Sequence, residues 1–231
     1  MKESNQWSIE EGDFFEGLEA ASKAFFSRAK RMAVSKNTMI FFEEDPSTSC
    51  YYLEKGIVRI FKISYSGKEP IFFIRRHGAM FGLAEVLDSI PRKSNAQTLS
   101  ESVIWELGRK DFESMISDYP DFSRRILSCM GRRIRYLGDQ VESLMTCDVV
   151  TRLAKLIVYL AYENMSQEED WERPVTIQKK LTQEQMASMT GSCQQTVSNT
   201  LKRFQEEGLI QRTKKGLKIT NPLQLIRKAE H

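Results

Sequence analysis

The segment LTQEQMASMTGSCQQTVSNTLKRFQEEGLI, residues 181–210, carries the strongest structural signal in this chain of 231 residues. Thr182 is followed three positions later by Gln185, which is the spacing of a capping box at the start of a helix. Ser192 and Gln195 repeat this spacing, so a second helix is predicted to begin about ten residues after the first. The segment therefore predicts two short helices in close succession.

The residues at the junction of these helices fit a helix-turn-helix. Gly191 lies where a tight turn needs a positive φ, which glycine adopts at little steric cost. Ala187 precedes it by four residues, where two crossing helices leave no room for a large side chain. Val197 and, one turn later, Leu201 fall on the inward face of the second helix. A plain helical hairpin with a glycine turn shares this pattern, so the residues that follow decide between the two interpretations.

The sequence EEGLIQRTKKGLKIT, residues 206–220, predicts two short strands around the basic turn Lys214-Lys215-Gly216. Such a hairpin beside a helix-turn-helix is a wing. Residues 176–231 hold ten Lys or Arg against four Glu, an excess of +6, whereas the whole chain carries only +3. A locally basic surface favours a polyanionic partner. We therefore predict that the second helix is a recognition helix for double-stranded DNA.

The sequence from about Thr38 to Leu107 has the pattern of short strands. The apolar runs MIFF, YYLEKGIVRIFKI, PIFFIRR and SVIWEL alternate with turn residues, which is typical of an antiparallel barrel or jelly roll. The first ~35 residues are predicted to be mainly helical, because FFEGLEAASKAFFSRAKRM places apolar residues at helical spacing.

A long amphipathic helix is predicted from about Asp121 to Met145. Its apolar positions follow one another in steps of 4, 4, 3, 4 and 3, close to a heptad seam. A seam of this kind either packs on its own domain or pairs with the same helix of a second copy, and the sequence leaves both open. Asp148 is predicted to cap a further helix, VVTRLAKLIVYLAYENM. The seam positions are Ile126, Met130, Ile134, Leu137, Val141 and Leu144.

Composition and motifs argue against other functions. The four cysteines stand far apart without a C-x-x-C pair, which indicates neither a zinc site, a disulfide framework nor an iron–sulfur sensor. His77 and His231 are the only candidates for haem ligation or acid–base chemistry. The chain has no P-loop, H-E-x-x-H or G-x-S-x-G motif. We therefore predict no catalytic residue, no metal site and no enzyme activity.

The N-terminal sequence shows no basic-then-apolar leader, and no apolar run approaches the length of a membrane span. We therefore expect a cytoplasmic protein without a membrane partner.

Over nearly its whole length the chain resembles the Crp/Fnr family of bacterial regulators. YYLEKGIVRIF, the following GK and HGAMFG with PR resemble a cyclic-nucleotide-binding roll. DVVTRLAKLIVYLA resembles the family's hinge and first C-terminal helix. The resemblance implies a homodimer joined through the long helix and an effector in the roll that sets the orientation of two DNA-binding heads. It also implies RNA polymerase as a partner if the protein is an activator.

The predicted fold is α+β, with an N-terminal β-roll (a double-stranded β-helix or jelly roll), a long dimerisation helix and a C-terminal winged helix-turn-helix. Residues 1–120 form an effector-sensing roll with its N-terminal helix, 121–147 the dimerisation helix and hinge, and 148–231 the DNA-binding domain.

The effector cassette departs from the family pattern. Members that bind cyclic AMP carry F-G-E-L, followed by Pro-Arg, whereas this chain has F-G-L-A before Pro91-Arg92. Leu83 stands where a carboxylate would accept the ribose 2′-hydroxyl, which argues against cyclic AMP. A different small anionic or organic effector stays open, and no other cofactor is predicted. The alternative interpretation is that Gly82 and Arg92 only maintain the fold, with Arg92 in an internal ion pair. The candidate effector residues are Gly82, Leu83, Arg92, Lys93 and Ser94.

The resemblance places Gln194, Gln195 and Asn199 where family members contact base edges. Amide side chains suit adenine and arginine suits guanine, so we predict a palindromic operator with A·T-rich half-sites. Gln195 has the alternative role of completing the capping box with Ser192. The predicted phosphate contacts are Cys193, Thr196, Ser198, Lys202, Lys214 and Lys215.

One alternative function keeps the roll but not the DNA. A ligand-binding regulatory or scaffold protein without sequence-specific DNA binding would leave the basic wing without a role.

Overall fold

The computed structural model describes residues 12–162, 173–177, 181–213 and 216–230. The chain divides into two compact units, residues 10–133 and 134–231. Within the described residues, no helix combines the length and the apolar character that crossing a bilayer requires.

The first unit is built from eight strands and the helices around them. The strands are β1 (Lys30–Val34), β2 (Met39–Phe41), β3 (Ser49–Lys55), β4 (Val58–Phe61), β5 (Ile71–Arg75), β6 (Met80–Phe81), β7 (Asn95–Thr98) and β8 (Ser102–Gly108). The helices are α1 (Glu19–Arg28), α2 (Ala84–Asp88), α3 (Arg109–Asp118) and α4 (Pro120–Thr146), which continues into the second unit. Two antiparallel sheets result, ordered β1-β8-β3-β6 and β2-β7-β4-β5, which confirms the predicted roll.

Two apolar clusters hold the roll together. The first combines side chains from both sheets, among them the fully buried Leu53 and Ile104. The second joins the β1-β8-β3-β6 sheet to α1, α3 and α4 through buried aromatic rings such as Phe25, Phe112 and Phe122. Replacing one of these phenylalanines with alanine would cost about 3–5 kcal/mol, because it removes buried apolar surface and leaves a cavity.

The predicted helical character of the first ~35 residues is only partly right. Helix α1 has ten residues and ends at Arg28, and residues 1–11 lie outside the described part of the chain. Ala29 is extended, with ψ 147°, so the chain leaves the helix and β1 pairs with β8 from Lys30 opposite Glu106 onward. Pairing along a whole strand outweighs the helical spacing of the apolar residues, because tertiary contacts override local propensity.

The long helix is present, but the predicted seam needs a correction. Helix α4 has 27 residues and begins at Pro120, a position that needs no backbone N–H. Ile126 is only 3% exposed and belongs to the roll's own core, and Met130 packs against that core. The assignment of Ile126 to a seam between copies is therefore wrong, whereas that of the partly buried Met130 stays a prediction. Leu127, which is 72% exposed, is available instead.

The second unit surrounds one apolar cluster. Asp148 caps α5 as predicted, because its Oδ1 accepts the backbone N–H of Thr151 at 2.8 Å. The two predicted wing strands are present and pair with each other, whereas β9 and α8 had no counterpart in the prediction. The elements are α5 (Val149–Tyr162), β9 (Val175–Ile177), α6 (Gln183–Thr190), α7 (Gln194–Glu206), β10 (Ile210–Thr213), β11 (Gly216–Ile219) and α8 (Pro222–Glu230).

Candidate nucleic-acid interface and effector cassette

The turn between α6 and α7 has the predicted geometry. The Thr182 hydroxyl accepts the backbone N–H of Gln185 at 3.1 Å, and the Gln185 side chain accepts the N–H of Thr182 at 2.9 Å, so the first capping box is confirmed. Gly191 has φ 60°, and a Cβ built there would lie 3.0 Å from Leu144. Ala187, under the crossing, is 5% exposed. Any other residue at Gly191 would strain the left-handed turn and press on the Leu144 side chain of α4. A larger residue at Ala187 would overpack the core of the second unit.

The second predicted capping box is wrong. Helix α7 begins at Gln194 with Cys193 as its N-cap, and no side chain caps its first turn. Ser192 instead completes the end of α6, because its backbone N–H donates to the carbonyl of Ala187 at 3.0 Å. The Gln195 side chain is consequently free of the cap, and its Nε2 donates to Asn199 Oδ1 at 3.0 Å.

Cys193 lies at the exposed start of α7, beside the predicted phosphate contacts. The Thr196 hydroxyl, 3.1 Å from the sulfur, and nearby backbone N–H groups lower the pKa of the Cys193 thiol below its ordinary value. The start of a helix concentrates unpaired N–H groups and favours negative charge, so this end of α7 suits an anionic partner.

Helix α7 has a buried face and a polar face. Val197, Thr200, Leu201 and Phe204 are buried against the cluster of the second unit. With about 100° between successive residues, the polar positions span an arc of about 140°. Gln194, Gln195, Asn199 and Lys202 on this arc are exposed, and Ser198 is half-buried. Thr196 lies just beyond the arc and is also half-buried.

The wing is a three-stranded sheet ordered β10-β11-β9. Thr213 and Gly216 are paired across the hairpin, with the Thr213 hydroxyl accepting the N–H of Gly216 at 3.2 Å. The predicted phosphate contacts Lys214 and Lys215 lie outside the described residues.

Arg152 links three segments of the second unit. Its Nε donates to the carbonyl of Thr190 at 2.8 Å, and its Nη1 donates to the carbonyl of Cys147 at 2.6 Å. One guanidinium on α5 thus ties the residue that follows α4 to the last residue of α6. Sequence reasoning missed this residue, because both acceptors are backbone carbonyls and leave no trace in residue types.

In the roll, the side chain of Arg92 donates hydrogen bonds to backbone carbonyls. Arg92 is 1% exposed, its Nη1 donates to the Gly82 carbonyl at 2.9 Å, and its Nη2 donates to the Ser49 carbonyl. Gly82 has φ 66°, and a Cβ there would approach Arg92 Nη1 to 3.0 Å. Within the described residues, Nε is the one buried nitrogen of Arg92 without a hydrogen-bond partner.

Aromatic rings and a carboxylate close around this arginine. The guanidinium lies 4.2 Å from the ring centre of Phe41, and Phe41, Tyr51 and Phe81 stand in contact with one another. Glu85 brings a carboxylate oxygen to 3.6 Å from Arg92 Nη1. The internal ion pair that the sequence left as an alternative is therefore formed, and Glu85 is the partner.

The remaining cassette residues do not converge on one point. Leu83 is 1% exposed and packs in the core. Lys93 directs its ammonium to Glu44 at 3.2 Å, while its backbone N–H faces Glu85 at 3.4 Å. Ser94 is half-buried. No cluster of three or more metal-ligating side chains occurs among the residues that the structure describes.

A jelly-roll domain with an arginine-glycine cassette, followed by a winged helix-turn-helix, defines a class of DNA-binding transcription regulators with a sensor domain. Residues 31–119 match the model of the cyclic nucleotide-binding domain, and residues 151–228 match that of the Crp-like helix-turn-helix domain. The chain belongs to the Crp/Fnr family of transcription regulators.

Curated relatives and solved structures agree with that assignment. The CRP-like cAMP-activated global transcriptional regulator of Mycobacterium tuberculosis is 29% identical over 216 residues, covering 93% of this chain and 95% of the relative. The cAMP-activated global transcriptional regulator CRP of Pasteurella multocida is 30% identical over 177 residues, covering 76% and 82%. A CooA mutant structure from Carboxydothermus hydrogenoformans superposes with a TM-score of 0.79 at 19% identity, covering 97% of this chain and 99% of that one.

Proposed function

We propose that this regulator responds to an effector and binds, as a homodimer, a palindromic operator with A·T-rich half-sites. The proposal rests on the polar face of α7, where exposed amides occupy the outward arc. The arginine of this helix, Arg203, lies about 40° beyond the arc and donates from Nε to Glu207 at 2.8 Å. Amides pair bidentately with adenine N6 and N7, whereas arginine pairs with guanine O6 and N7. Binding to chromosomal DNA would place its site of action in the cytoplasm.

The proposed phosphate contacts flank those amides. Cys193 and Thr196 lie at the start of α7, and the half-buried Ser198 lies within its polar arc. Lys202 follows one turn later, with its ammonium 3.8 Å from Glu206 and its side chain 78% exposed. That ion pair is weak enough to give way to a phosphate, since exposed pairs contribute about 0–1 kcal/mol. Lys214 and Lys215 complete the proposed set.

The first test is a gel-shift titration with duplex DNA at several salt concentrations. Lys202→Ala should weaken binding to all sequences alike and reduce the slope of log affinity against log salt by about 1, because one fewer counterion is released. Lys110→Ala, which removes an exposed lysine of α3 in the roll, is the matched control and should behave as wild type. A loss confined to one sequence would contradict the phosphate assignment.

The homodimer is proposed from α4. Leu127, Ile134 and Val141 are each more than half exposed and recur every seven residues. Leu137 follows Ile134 by three residues and Leu144 follows Val141 by three, which is heptad spacing, and these two leucines are 39% and 55% exposed. A row of exposed apolar side chains along one helix is unusual in a monomer. A second copy of the same helix would bury it.

The proposed effector is a small anionic or organic molecule other than cyclic AMP. A cyclic phosphate would have to compete with Glu85 for Arg92, whose two terminal nitrogens already donate to backbone carbonyls. The ribose hydroxyl would meet Leu83 and lose a hydrogen bond, which costs roughly 1–3 kcal/mol. The two relatives described above are named as cAMP-activated, and we propose that this chain differs from them at this step.

Isothermal titration calorimetry with cyclic AMP tests this directly. We expect no binding heat at micromolar protein and ligand. A dissociation constant in the micromolar range or tighter would show that the Phe41, Tyr51 and Phe81 rings and the Glu85–Arg92 pair move apart for the nucleotide. That result would overturn the effector proposal and leave the DNA proposal intact. If the protein activates transcription, RNA polymerase would be its further partner.

A further inference from the structure

We infer that Asn199 positions Gln195 for reading one adenine and does not read a base of its own. The inference rests on the proposed function and deepens it, because it assigns base reading to one amide of α7 and positioning to another on the same face. It starts from one contact, the hydrogen bond from Gln195 Nε2 to Asn199 Oδ1 at 3.0 Å. Both side chains are exposed, so nothing else in the fold requires this contact.

The direction of that hydrogen bond preserves what adenine needs. A bidentate pair with adenine requires one acceptor for the N6 amino group and one donor for N7. Gln195 donates one of its two side-chain N–H groups to Asn199, so the other N–H group and Oε1 remain available to a base. The held amide therefore still offers one donor and one acceptor. Turned by half a revolution, it would bring Oε1 against Asn199 Oδ1, and two acceptors form no hydrogen bond.

Asn199 is the better candidate for the supporting role. It lies one helical turn after Gln195, so the two side chains are about 40° apart around the helix. Its side chain is shorter and has fewer rotatable bonds, so it is ordered at a smaller entropic cost. Its carbonyl oxygen already accepts from Gln195, which weakens its own bidentate pairing with a base. Gln194 lies at the far edge of the arc, about 140° from Asn199, and no hydrogen bond links its side chain to this pair in the described structure.

The experiment measures binding to single base-pair replacements of the operator. Wild-type protein first selects its operator from random duplexes. Affinities of wild type, Gln195→Ala, Asn199→Ala and the double variant are then measured on that operator and on each replacement. We expect Gln195→Ala to abolish a roughly tenfold preference for A·T at one base pair. Asn199→Ala should weaken the preference at the same base pair and at no other, and the double variant should match Gln195→Ala.

Two further variants separate positioning from structure. Asn199→Asp keeps the acceptor oxygen, so it should retain the A·T preference at that base pair while binding every sequence more weakly through repulsion of the phosphates. Gln194→Ala is the matched control and should act at a different base pair. Thermal unfolding followed by circular dichroism should be unchanged for the alanine variants, since both residues are exposed on the helix.

Several results would overturn the inference. Loss of preference at separate base pairs in Gln195→Ala and Asn199→Ala would mean that each amide reads its own base. Additive losses in the double variant, or relaxed selectivity in Asn199→Asp, would also exclude a positioning role. A G·C preference at the base pair that Gln195 controls would refute adenine reading. Failure of wild type to select any sequence would instead refute the proposed function, and this inference with it.

Discussion

Arg92 and Arg152 both use a guanidinium to join backbone carbonyls from segments distant in sequence. Arg92 connects Ser49 and Gly82, and Arg152 connects Cys147 and Thr190. The sequence identified Arg92 as a candidate anion ligand but not Arg152. Arg92 stands out in the sequence because the residues around it form a recognisable motif. Arg152 does not, because its acceptors are backbone carbonyls, which any residue can supply. The local use of an arginine is therefore not predictable from sequence alone.

Replacing Arg152 should loosen the link between the end of α4 and the helix-turn-helix. Arg152→Ala leaves the carbonyls of Cys147 and Thr190 without this donor, and we expect a loss of about 1–3 kcal/mol in the free energy of unfolding. Denaturant unfolding monitored by circular dichroism measures it. Lys155→Ala, on the same helix, is the control, because its ammonium donates to the Cys147 sulfur at 3.4 Å, a weaker acceptor than a backbone carbonyl. Equal stability of the two variants would show that the Arg152 bonds contribute nothing net.

The start of a helix is predictable from sequence where the capping residues and their partners lie within one turn. The Thr182 capping box and the Asp148 cap hold, because each needs only residues within one turn. The Ser192 box fails, because the end of α6 uses the Ser192 N–H first and moves the start of α7 by one residue. Competition between adjacent elements for one N–H is not visible in the spacing of polar residues.

Other elements were missed for different reasons. Helix α8 did carry a signal, Asn221 before Pro222, and the Asn221 side chain accepts the N–H of Gln224 at 3.2 Å. Strand β9 has three residues and owes its existence to pairing with β11, which no local pattern shows. The predicted seam of α4 begins at Ile126, whereas the exposed residue is Leu127. Both are apolar, and only the packing of the helix determines which one faces the roll.

The exposed apolar row on α4 predicts that a charge placed within it will disrupt the dimer. Val141 is 55% exposed, so Val141→Lys should not disturb the monomer. In a dimer it would remove a valine contact worth about 1.5–3 kcal/mol in each copy and place two ammonium groups in an apolar seam. Sedimentation should show wild type at about twice the chain mass of 26.8 kDa and the variant shifted towards one chain.

A matched variant tests whether the charge alone is responsible. Glu142→Gln changes the net charge by the same amount at the neighbouring position, outside the heptad row, and should remain dimeric and bind DNA normally. Val141→Lys should weaken DNA binding together with dimerisation, since each copy supplies one α7. Wild type that sediments as a monomer at micromolar concentration would contradict the dimer proposal.

In this regulator of the Crp/Fnr family, one chain carries both the roll, in which Arg92 bonds to backbone carbonyls, and the helix α7, which exposes amide side chains. Charge is distributed accordingly, with an excess of +6 in residues 176–231 of a chain whose net charge is +3. A twofold dimer presents the same surface twice, so its operator should repeat with inverted symmetry. In the proposed arrangement, phosphate contacts would supply affinity and the amides of α7 would supply the choice of base.

Sequence-specific binding by a dimer can be tested by selecting duplexes from random double-stranded DNA with the wild-type protein and sequencing those that bind. We expect one palindromic site with A·T-rich half-sites whose centres lie about one helical turn, or roughly 10 base pairs, apart. Enrichment of G·C-rich half-sites would contradict the reading of adenine by amides. A site without inverted symmetry, or no enrichment at all, would contradict sequence-specific binding by a dimer.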